Sequence, residues 1–148
     1  MEDEITRLIT NGELDNNRPT GDRIGVAKRI DDAVGRYIEF AKASFPKGMR
    51  LDGLRIVVDC SNGAAYKAGP YALSELGADV VAIHNTPNGR NINEACGSVH
   101  PEDMRAMVIR ERADLGIAFD GDGDRIVMAD SEGRLLDGNA LLTILGID

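Results

Sequence analysis

The chain has 148 residues, of which 43% are hydrophobic, and a net charge of −8, with three tyrosines, three phenylalanines and no tryptophan. These values suit one domain with a mainly aliphatic core, and the negative charge argues against nucleic acids and anionic membranes as partners. No run of residues predicts a transmembrane helix, and the acidic N-terminus does not resemble a signal peptide. We therefore expect a soluble, cytoplasmic protein in which Cys60 and Cys96 are reduced thiols without a further role.

The first 29 residues predict a linker rather than a domain. Residues 2–10 have the spacing of a short amphipathic helix. Residues 11–23 are polar and contain a single large apolar residue, Leu14. A segment of this composition cannot bury a core of its own, so residues 1–29 are interpreted as a linker.

Residues 30–41 predict the first packed helix. Apolar residues recur there at helical spacing, namely Ile30, Ala33, Val34, Tyr37, Ile38 and Ala41. Pro46-Lys47-Gly48 would end the segment.

The next fifty residues predict a β-α-β unit followed by a long loop. Residues 54–60 and 79–84 read as strands around a helical segment that ends at Gly77. Such a unit implies parallel strands and a right-handed crossover. Residues 85–97 are polar, and a loop of this length is usually functional or flexible. His84 and the three residues after it are interpreted as a strand end and a turn.

The last third of the chain completes the predicted sheet. Pro101 suits the first turn of a helix with an apolar stripe at Met104, Met107 and Val108. Residues 114–119 predict a third strand, residues 125–130 an antiparallel return, and residues from Leu141 a final helix. The expected fold is a three-layer α/β domain with a mixed, mainly parallel four-stranded sheet and helices on both faces. The domain would span residues 30–148.

The most informative stretch is residues 120–125, Asp-Gly-Asp-Gly-Asp-Arg, between the last two predicted strands. Three carboxylates this close repel one another unless a cation lies among them. Oxygen ligands suit Mg²⁺ and other hard divalent cations. The sequence therefore predicts a metal site at Asp120, Asp122 and Asp124, at the edge of the sheet where open α/β domains bind ligands.

Three other interpretations of this loop differ in what they require. An EF-hand loop needs Gly at position six and Glu at position twelve, but Arg125 and Ser131 stand there. A phosphatase of the haloacid dehalogenase type would use Asp120 as nucleophile and Asp122 as acid/base. A non-catalytic Ca²⁺-binding module would hold calcium without turnover.

The acidic run, with its apolar flanks, resembles the metal-binding loop of the alpha-D-phosphohexomutases. Other segments resemble the same family in the same order, over about residues 30 to 146. They are residues 54–65 (Leu-Arg-Ile-Val-Val-Asp-Cys-Ser-Asn-Gly-Ala-Ala), 91–93 (Asn-Ile-Asn), 96–98 (Cys-Gly-Ser) and 137–138 (Asp-Gly).

The resemblance implies the second domain of an enzyme that moves a phosphoryl group between O6 and O1 of a hexose phosphate. Residues 1–29 would then be the remnant of a preceding domain. An enzyme phosphoserine and a bisphosphate intermediate take part in that reaction. Asp120, Asp122 and Asp124 would then hold Mg²⁺, and Arg125 would face the phosphoryl group or the substrate. The Asn-Ile-Asn and Cys-Gly-Ser segments favour glucosamine phosphate over mannose or glucose phosphate, which implies an early step towards UDP-N-acetylglucosamine.

The same resemblance implies that this chain is inactive alone. Its serines lack the Ser-His-Asn-Pro type of context expected for the nucleophile; they are Ser44, Ser61, Ser74, Ser98 and Ser131. The substrate-recognition loops of the later domains are also missing. We expect a domain fragment that is monomeric or weakly self-associating and binds a hexosamine phosphate only together with the other domains.

Overall fold

The computed structural model describes residues 1–16, 18–136 and 138–146. The chain divides into two units, Met1–Asp31 and Asp32–Asp148. The first unit contains helix α1 (Glu2–Thr10), a short helix α2 (Glu13–Asn16) and a 3₁₀ turn, Gly21–Arg23. The predicted helix at residues 2–10 is confirmed, whereas the segment after it contains more local structure than its composition indicated.

The second unit is a three-layer α/β domain, as predicted. Its helices are α3 (Ala33–Lys42), α4 (Ala68–Glu75), α5 (Glu102–Glu111) and α6 (Gly138–Leu145), and its strands are β1 (Arg55–Asp59), β2 (Asp79–Ile83), β3 (Leu115–Phe119), β4 (Ile126–Asp130) and β5 (Leu135–Leu136). The strand order is β2-β1-β3-β4-β5. Strands β1, β2 and β3 are parallel, and β4 and β5 run antiparallel to their neighbours.

The sheet has five strands rather than the expected four. The additional strand, β5, has only two residues, which pair with Met128 and Ala129 of β4. Two residues are too few to show an alternation of apolar and polar side chains, so the sequence pattern could not reveal this strand.

Helix α3 also differs from its predicted form. It begins at Ala33, and Ile30 lies outside it with 61% of its surface exposed. Of the predicted apolar stripe, Ile38 is buried, whereas Tyr37 is 60% exposed. The helix packs against α4 rather than directly on the sheet, so only part of its apolar face is covered.

Two apolar clusters fill the faces of the sheet. On one face, Met104 and Val108 of α5 pack against Val57 and Ala118. Gly116 makes this packing possible, because a Cβ atom there would lie 2.2 Å from the Met104 sulfur. The other face buries a second set of residues under α4, namely Ile56, Val58, Cys60 and Ala78. No helix in the described part of the chain is long and apolar enough to cross a lipid bilayer.

The sheet order places a crevice at one edge of this domain. From β1 the chain crosses through α4 to β2, and from β2 it crosses through α5 to β3 on the other side of β1. The two crossovers therefore run in opposite directions across the sheet, with α4 and α5 on opposite faces. Ligands of open α/β sheets bind at such a switch point, beyond the carboxyl ends of the strands, and residues 120–125 directly follow β3 there.

Candidate metal site

Residues 120–125 form a tight connection between β3 and β4. The Gly123 amide donates to the Asp120 carbonyl at 3.2 Å, and the Asp120 amide donates to the Arg125 carbonyl at 3.3 Å. Gly123 has a φ of +76°, a backbone conformation that glycine adopts without a steric penalty. The loop therefore turns within a few residues and presents its alternate aspartates on one side.

The three predicted ligands lie close together. One carboxylate oxygen from each of Asp120, Asp122 and Asp124 can be chosen so that all lie within 4.8 Å of one another. Asp120 is only 4% exposed, whereas Asp122 and Asp124 are exposed to solvent. The group thus has one buried carboxylate and two carboxylates at the surface.

Arg125 holds the buried carboxylate. Its backbone amide donates to Asp120 Oδ1 and its Nε to Asp120 Oδ2, each at 3.1 Å, and Nε also lies 3.4 Å from Asp124 Oδ1. The predicted interaction of this arginine with a phosphoryl group thus has to coexist with ion pairs inside the loop. These contacts use Nε and the backbone amide, so within the described residues the terminal nitrogens keep donors for another ligand.

The pKa values in the loop reflect this crowding of charge. Burial opposes ionisation of Asp120, but hydrogen bonds from Arg125 and Asp124 outweigh it and hold its pKa at about 2. The hydrogen bond to Asp120 raises the pKa of Asp124, with partial desolvation and the nearby negative charges adding to the effect. Hydrogen bonding to Asp120 also raises the pKa of Arg125. Full ionisation of the loop is therefore unfavourable without a further cation, which fits a divalent metal.

The acidic loop is fastened to the segment after β1. The Ala64 amide donates to the Gly121 carbonyl at 2.8 Å. Gly63 is required for this approach, because a Cβ atom there would lie 2.2 Å from the Gly121 oxygen. The two loops at the switch point are thus joined backbone to backbone.

The polar loop of residues 85–97 reaches the same place. The Asn93 amide donates to the Ser61 carbonyl, and the Ser98 amide donates to the Phe119 carbonyl, each at 2.9 Å. The segments at residues 54–65, 91–93 and 96–98 therefore meet around the acidic loop. Asp137, which belongs to the remaining segment, lies outside the described residues.

Sequence reasoning missed a buried carboxylate at this edge, Asp59, the last residue of β1. It is fully buried and accepts hydrogen bonds from the Ser61 amide at 2.8 Å and the Gly97 amide at 2.9 Å. His84 Nδ1 lies 3.1 Å from its Oδ2. The available signal was an aspartate at the end of an otherwise apolar strand, at the carboxyl edge of a parallel sheet.

The expected serine positions fall into different environments. Ser61 is fully buried at the end of β1, and Ser98 follows the polar loop, so both lie near the crevice. Ser44 donates to the Ala41 carbonyl beyond α3, Ser74 lies within α4, and Ser131 lies in the turn after β4.

A cavity of about 650 Å³ opens beside the acidic loop. Asp122 and Gly123 form one side of it, and its other walls are mainly alanine, aliphatic and aromatic side chains from α3, α4 and the sheet. Such walls provide few of the polar groups that a sugar needs for its hydroxyls.

Comparison with known proteins agrees with this architecture. Residues 35–133 match the family model described as phosphoglucomutase/phosphomannomutase, alpha/beta/alpha domain II. A phosphoglucosamine mutase of Magnetococcus marinus is 55% identical over all 148 residues, and one of Paramagnetospirillum magneticum is 54% identical over 147 residues. The chain covers 30% and 32% of the lengths of these two relatives.

A solved structure supports the same fold. The crystal structure of a phosphoglucomutase/phosphomannomutase family protein from Burkholderia thailandensis superimposes with a TM-score of 0.73 at 26% sequence identity. The match covers 97% of this chain and 30% of that one.

Proposed function

The chain belongs to the phosphoglucomutase/phosphomannomutase family, and from that membership we propose that it is the Mg²⁺-binding second domain of a phosphoglucosamine mutase. Residues 30–148 correspond to this domain, and residues 1–29 are a linker or remnant of a preceding one. The observation that carries the proposal is the meeting of the acidic loop with residues 54–65 and 91–98 at the carboxyl ends of β1 and β3.

Asp120, Asp122 and Asp124 are the proposed Mg²⁺ ligands. Their oxygens are the donors that this hard cation prefers, and they lie close enough together to share one ion after small rotations. The exposure of Asp122 and Asp124 leaves room for water or a phosphoryl oxygen as further ligands. Bound there, Mg²⁺ would neutralise negative charge on a phosphoryl group during its transfer.

Arg125 is proposed to orient that phosphoryl group. Its side chain is 71% exposed, and its ion pair with Asp120 holds the Nε atom of the guanidinium at the loop. A guanidinium held in this way can direct its terminal N–H donors at phosphate oxygens as a pair. Asp120 would thus have two roles, as metal ligand and as anchor of the arginine.

The reaction we propose for the whole enzyme interconverts glucosamine 6-phosphate and glucosamine 1-phosphate through an enzyme phosphoserine and a bisphosphate. The product would serve an early step towards UDP-N-acetylglucosamine. Support comes from the identity to the two phosphoglucosamine mutases, which is at least 54%. A phosphomannomutase or phosphoglucomutase is the second candidate, because the matching family model covers those activities as well.

We further propose that this chain alone does not catalyse the reaction. None of its serines has the sequence context expected of the phosphorylated nucleophile, and the cavity beside the acidic loop offers few polar groups to a sugar. The nucleophile and the sugar-binding groups would come from the rest of a protein about three times as long, since the chain covers 30% of a relative's length.

Metal binding tests the site directly. We expect isothermal titration with Mg²⁺ to give one site in the wild-type chain, and the Asp122→Asn and Asp124→Asn variants to bind at least tenfold more weakly. Glu132→Gln is a matched control, because it removes one exposed carboxylate from a turn outside the loop. Equal affinity in all variants would contradict the assignment, and a strong preference for Ca²⁺ would favour a calcium module.

Phosphorus NMR with glucosamine 6-phosphate and Mg²⁺ tests the inactivity of the chain alone. We expect no change in the substrate signal. Inorganic phosphate would indicate a phosphatase with Asp120 as nucleophile, contrary to the family membership. Glucosamine 1-phosphate would indicate a nucleophile within this chain, and mass spectrometry would then find a phosphorylated serine.

A further inference from the structure

A second group of ligand atoms lies at the same edge of the sheet but shares no residue with the acidic loop. It consists of Asp59, His84 and Cys96, whose carboxylate oxygen, ring nitrogen and sulfur lie within 4.8 Å of one another. Asp59 and Cys96 are fully buried, and the His84 side chain is 25% exposed. One oxygen, one nitrogen and one sulfur donor form a set that suits Zn²⁺ and similar cations, not Mg²⁺.

The histidine has the geometry of a ligand. His84 Nε2 lies 3.3 Å from Asp103 Oδ2, so in the neutral imidazole with its proton on Nε2 the lone pair of Nδ1 would be available to a cation. Nδ1 is buried and faces Asp59, yet it has no hydrogen-bond partner within the described residues. A carboxylate behind the distal nitrogen is the usual arrangement around a metal-bound histidine.

The other two donors are also held in place. The two backbone amides that bind the Asp59 carboxylate occupy one lone pair on each oxygen and leave another on each. The Cys96 sulfur lies 3.9 Å from the Asn62 side-chain nitrogen, a weak donor contact that suits a thiolate. In the metal-free chain, burial and neighbouring acidic groups raise the pKa of Cys96, so a bound cation would have to displace its proton.

We propose that Asp59, His84 and Cys96 bind a thiophilic divalent cation of the Zn²⁺ class, independently of the acidic loop. The ion would join the end of β1, the end of β2 and the polar loop that precedes α5. His84 and Asp103 also line a cavity of about 300 Å³, so the Asp103 side of the histidine faces open space. Its role is structural, because it fastens three segments of the crevice to one point.

A metal-free explanation competes with this proposal. A protonated His84 could bridge Asp59 and Asp103 with two ion pairs, which would account for the same distances without a cation. That bridge does not use the Cys96 sulfur. The thiolate ligand is therefore the feature that separates the two explanations.

Cobalt provides the test, because a Co²⁺–thiolate bond gives an intense near-ultraviolet charge-transfer band that carboxylate ligands do not give. We expect one equivalent of Co²⁺ to produce this band in the full 148-residue chain, and Zn²⁺ to abolish it. Cys96→Ser should remove the band. Cys60→Ser is the matched control, because Cys60 is equally buried but lies outside the cluster.

A further variant tests whether the acidic loop contributes to the Co²⁺ band. A chain with Asp122→Asn and Asp124→Asn should keep the full band, whereas its Mg²⁺ affinity falls. Absence of the band in wild type, or its persistence in Cys96→Ser, would overturn the proposal.

Measurements on the wild-type chain test the proposal even if a variant does not fold. Binding of Zn²⁺ should release about one proton per ion from Cys96 and should raise the thermal midpoint. The ¹¹³Cd NMR shift of the cadmium complex should lie in the range of mixed sulfur, nitrogen and oxygen ligands. A shift typical of oxygen ligands alone would refute the site regardless of the variants.

Discussion

Asp59 and Asp120 stand at the carboxyl ends of the neighbouring parallel strands β1 and β3, and their surroundings differ. Asp59 is fully buried and receives two backbone amides, so its own chain satisfies the carboxylate. Asp120 is nearly as buried, but two exposed aspartates follow it, and among the described residues the Arg125 guanidinium is the one counter-ion of the loop. Hydrogen bonds therefore organise the end of β1, whereas the end of β3 carries an excess of negative charge.

This difference explains why two carboxylates at the same edge of the sheet have different roles, one in stability and one in ligand binding. A carboxylate bound by backbone amides fixes the course of the loops around it, because its removal leaves buried N–H groups without partners. An exposed group of carboxylates stabilises the fold little and instead offers its charge to a ligand. Substitutions at the two strand ends should therefore separate effects on the stability of the metal-free chain from effects on Mg²⁺ binding.

A substitution that separates the segment after β1 from the acidic loop should have the largest effect on stability. Gly63→Ala places a methyl group against the Gly121 backbone, which cannot move aside as a side chain could. We expect a loss of about 3 kcal/mol of unfolding free energy in urea titrations. Gly35→Ala in α3 is the control, because the space around it is open, and it should gain about 0.5–1 kcal/mol. Equal stability of the two variants would refute the close approach of the loops.

Asp59→Asn should destabilise the metal-free chain, whereas Asp122→Asn should not. The asparagine amide at position 59 would face one of the two buried backbone donors, so we expect a loss of about 2 kcal/mol in urea titration. Asp122→Asn should leave the metal-free urea midpoint unchanged, because the side chain is exposed. A destabilised Asp122→Asn variant would show that the acidic loop stabilises the fold as well.

Cys60, which follows Asp59, should make stability depend on alkaline pH. Burial, together with the Asp59 charge, raises the pKa of its thiol to about 12, from 9.0. Between these values the unfolded thiol ionises first, so stability should fall as pH rises, by at most about 1.4 kcal/mol per pH unit. Below pH 9.0 no such loss is expected. Urea titrations of wild type and Cys60→Ala should diverge only above that pH, and parallel curves would contradict the assignment.

Arg125→Gln should have a small effect on stability that depends on salt. It removes the internal counter-ion of Asp120 and Asp124, but the guanidinium is mostly exposed, so the interaction is screened by solvent. We expect a fall of a few degrees in the thermal midpoint at low ionic strength, and a smaller fall when Mg²⁺ is present. A loss that does not depend on salt or metal would indicate a packing role for the side chain.

The fold was predictable where periodicity or flanking residues mark an element. The apolar run at residues 54–60 predicted β1, and Pro101 with the apolar stripe after it predicted α5. The two-residue strand β5 and the late start of α3 were not predictable, because both depend on pairing and packing with distant segments. The ligand atoms of the acidic loop do converge in the structure, whereas its metal and the role of Arg125 stay predictions.

The buried cluster could not be predicted in the same way. Asp59, His84 and Cys96 are separated by 25 and 12 positions and have no ligand-like spacing. They meet only because β1 and β2 are parallel neighbours and the polar loop returns across their ends. Sequence patterns describe local geometry well, and contacts of this kind depend on topology.

The absence of a side chain at Gly116 connects the packing of α5 on the sheet to the position of residues at the crevice. Helix α5 rests against the sheet at that point through Met104, and the neighbouring residue on the helix, Asp103, faces His84. A larger residue at position 116 would have to displace the side chains of Met104 and Val108, through which α5 contacts the sheet. A substitution at the contact between the helix and the sheet would thus act on the helix that carries Asp103, although it alters no residue that lines the crevice.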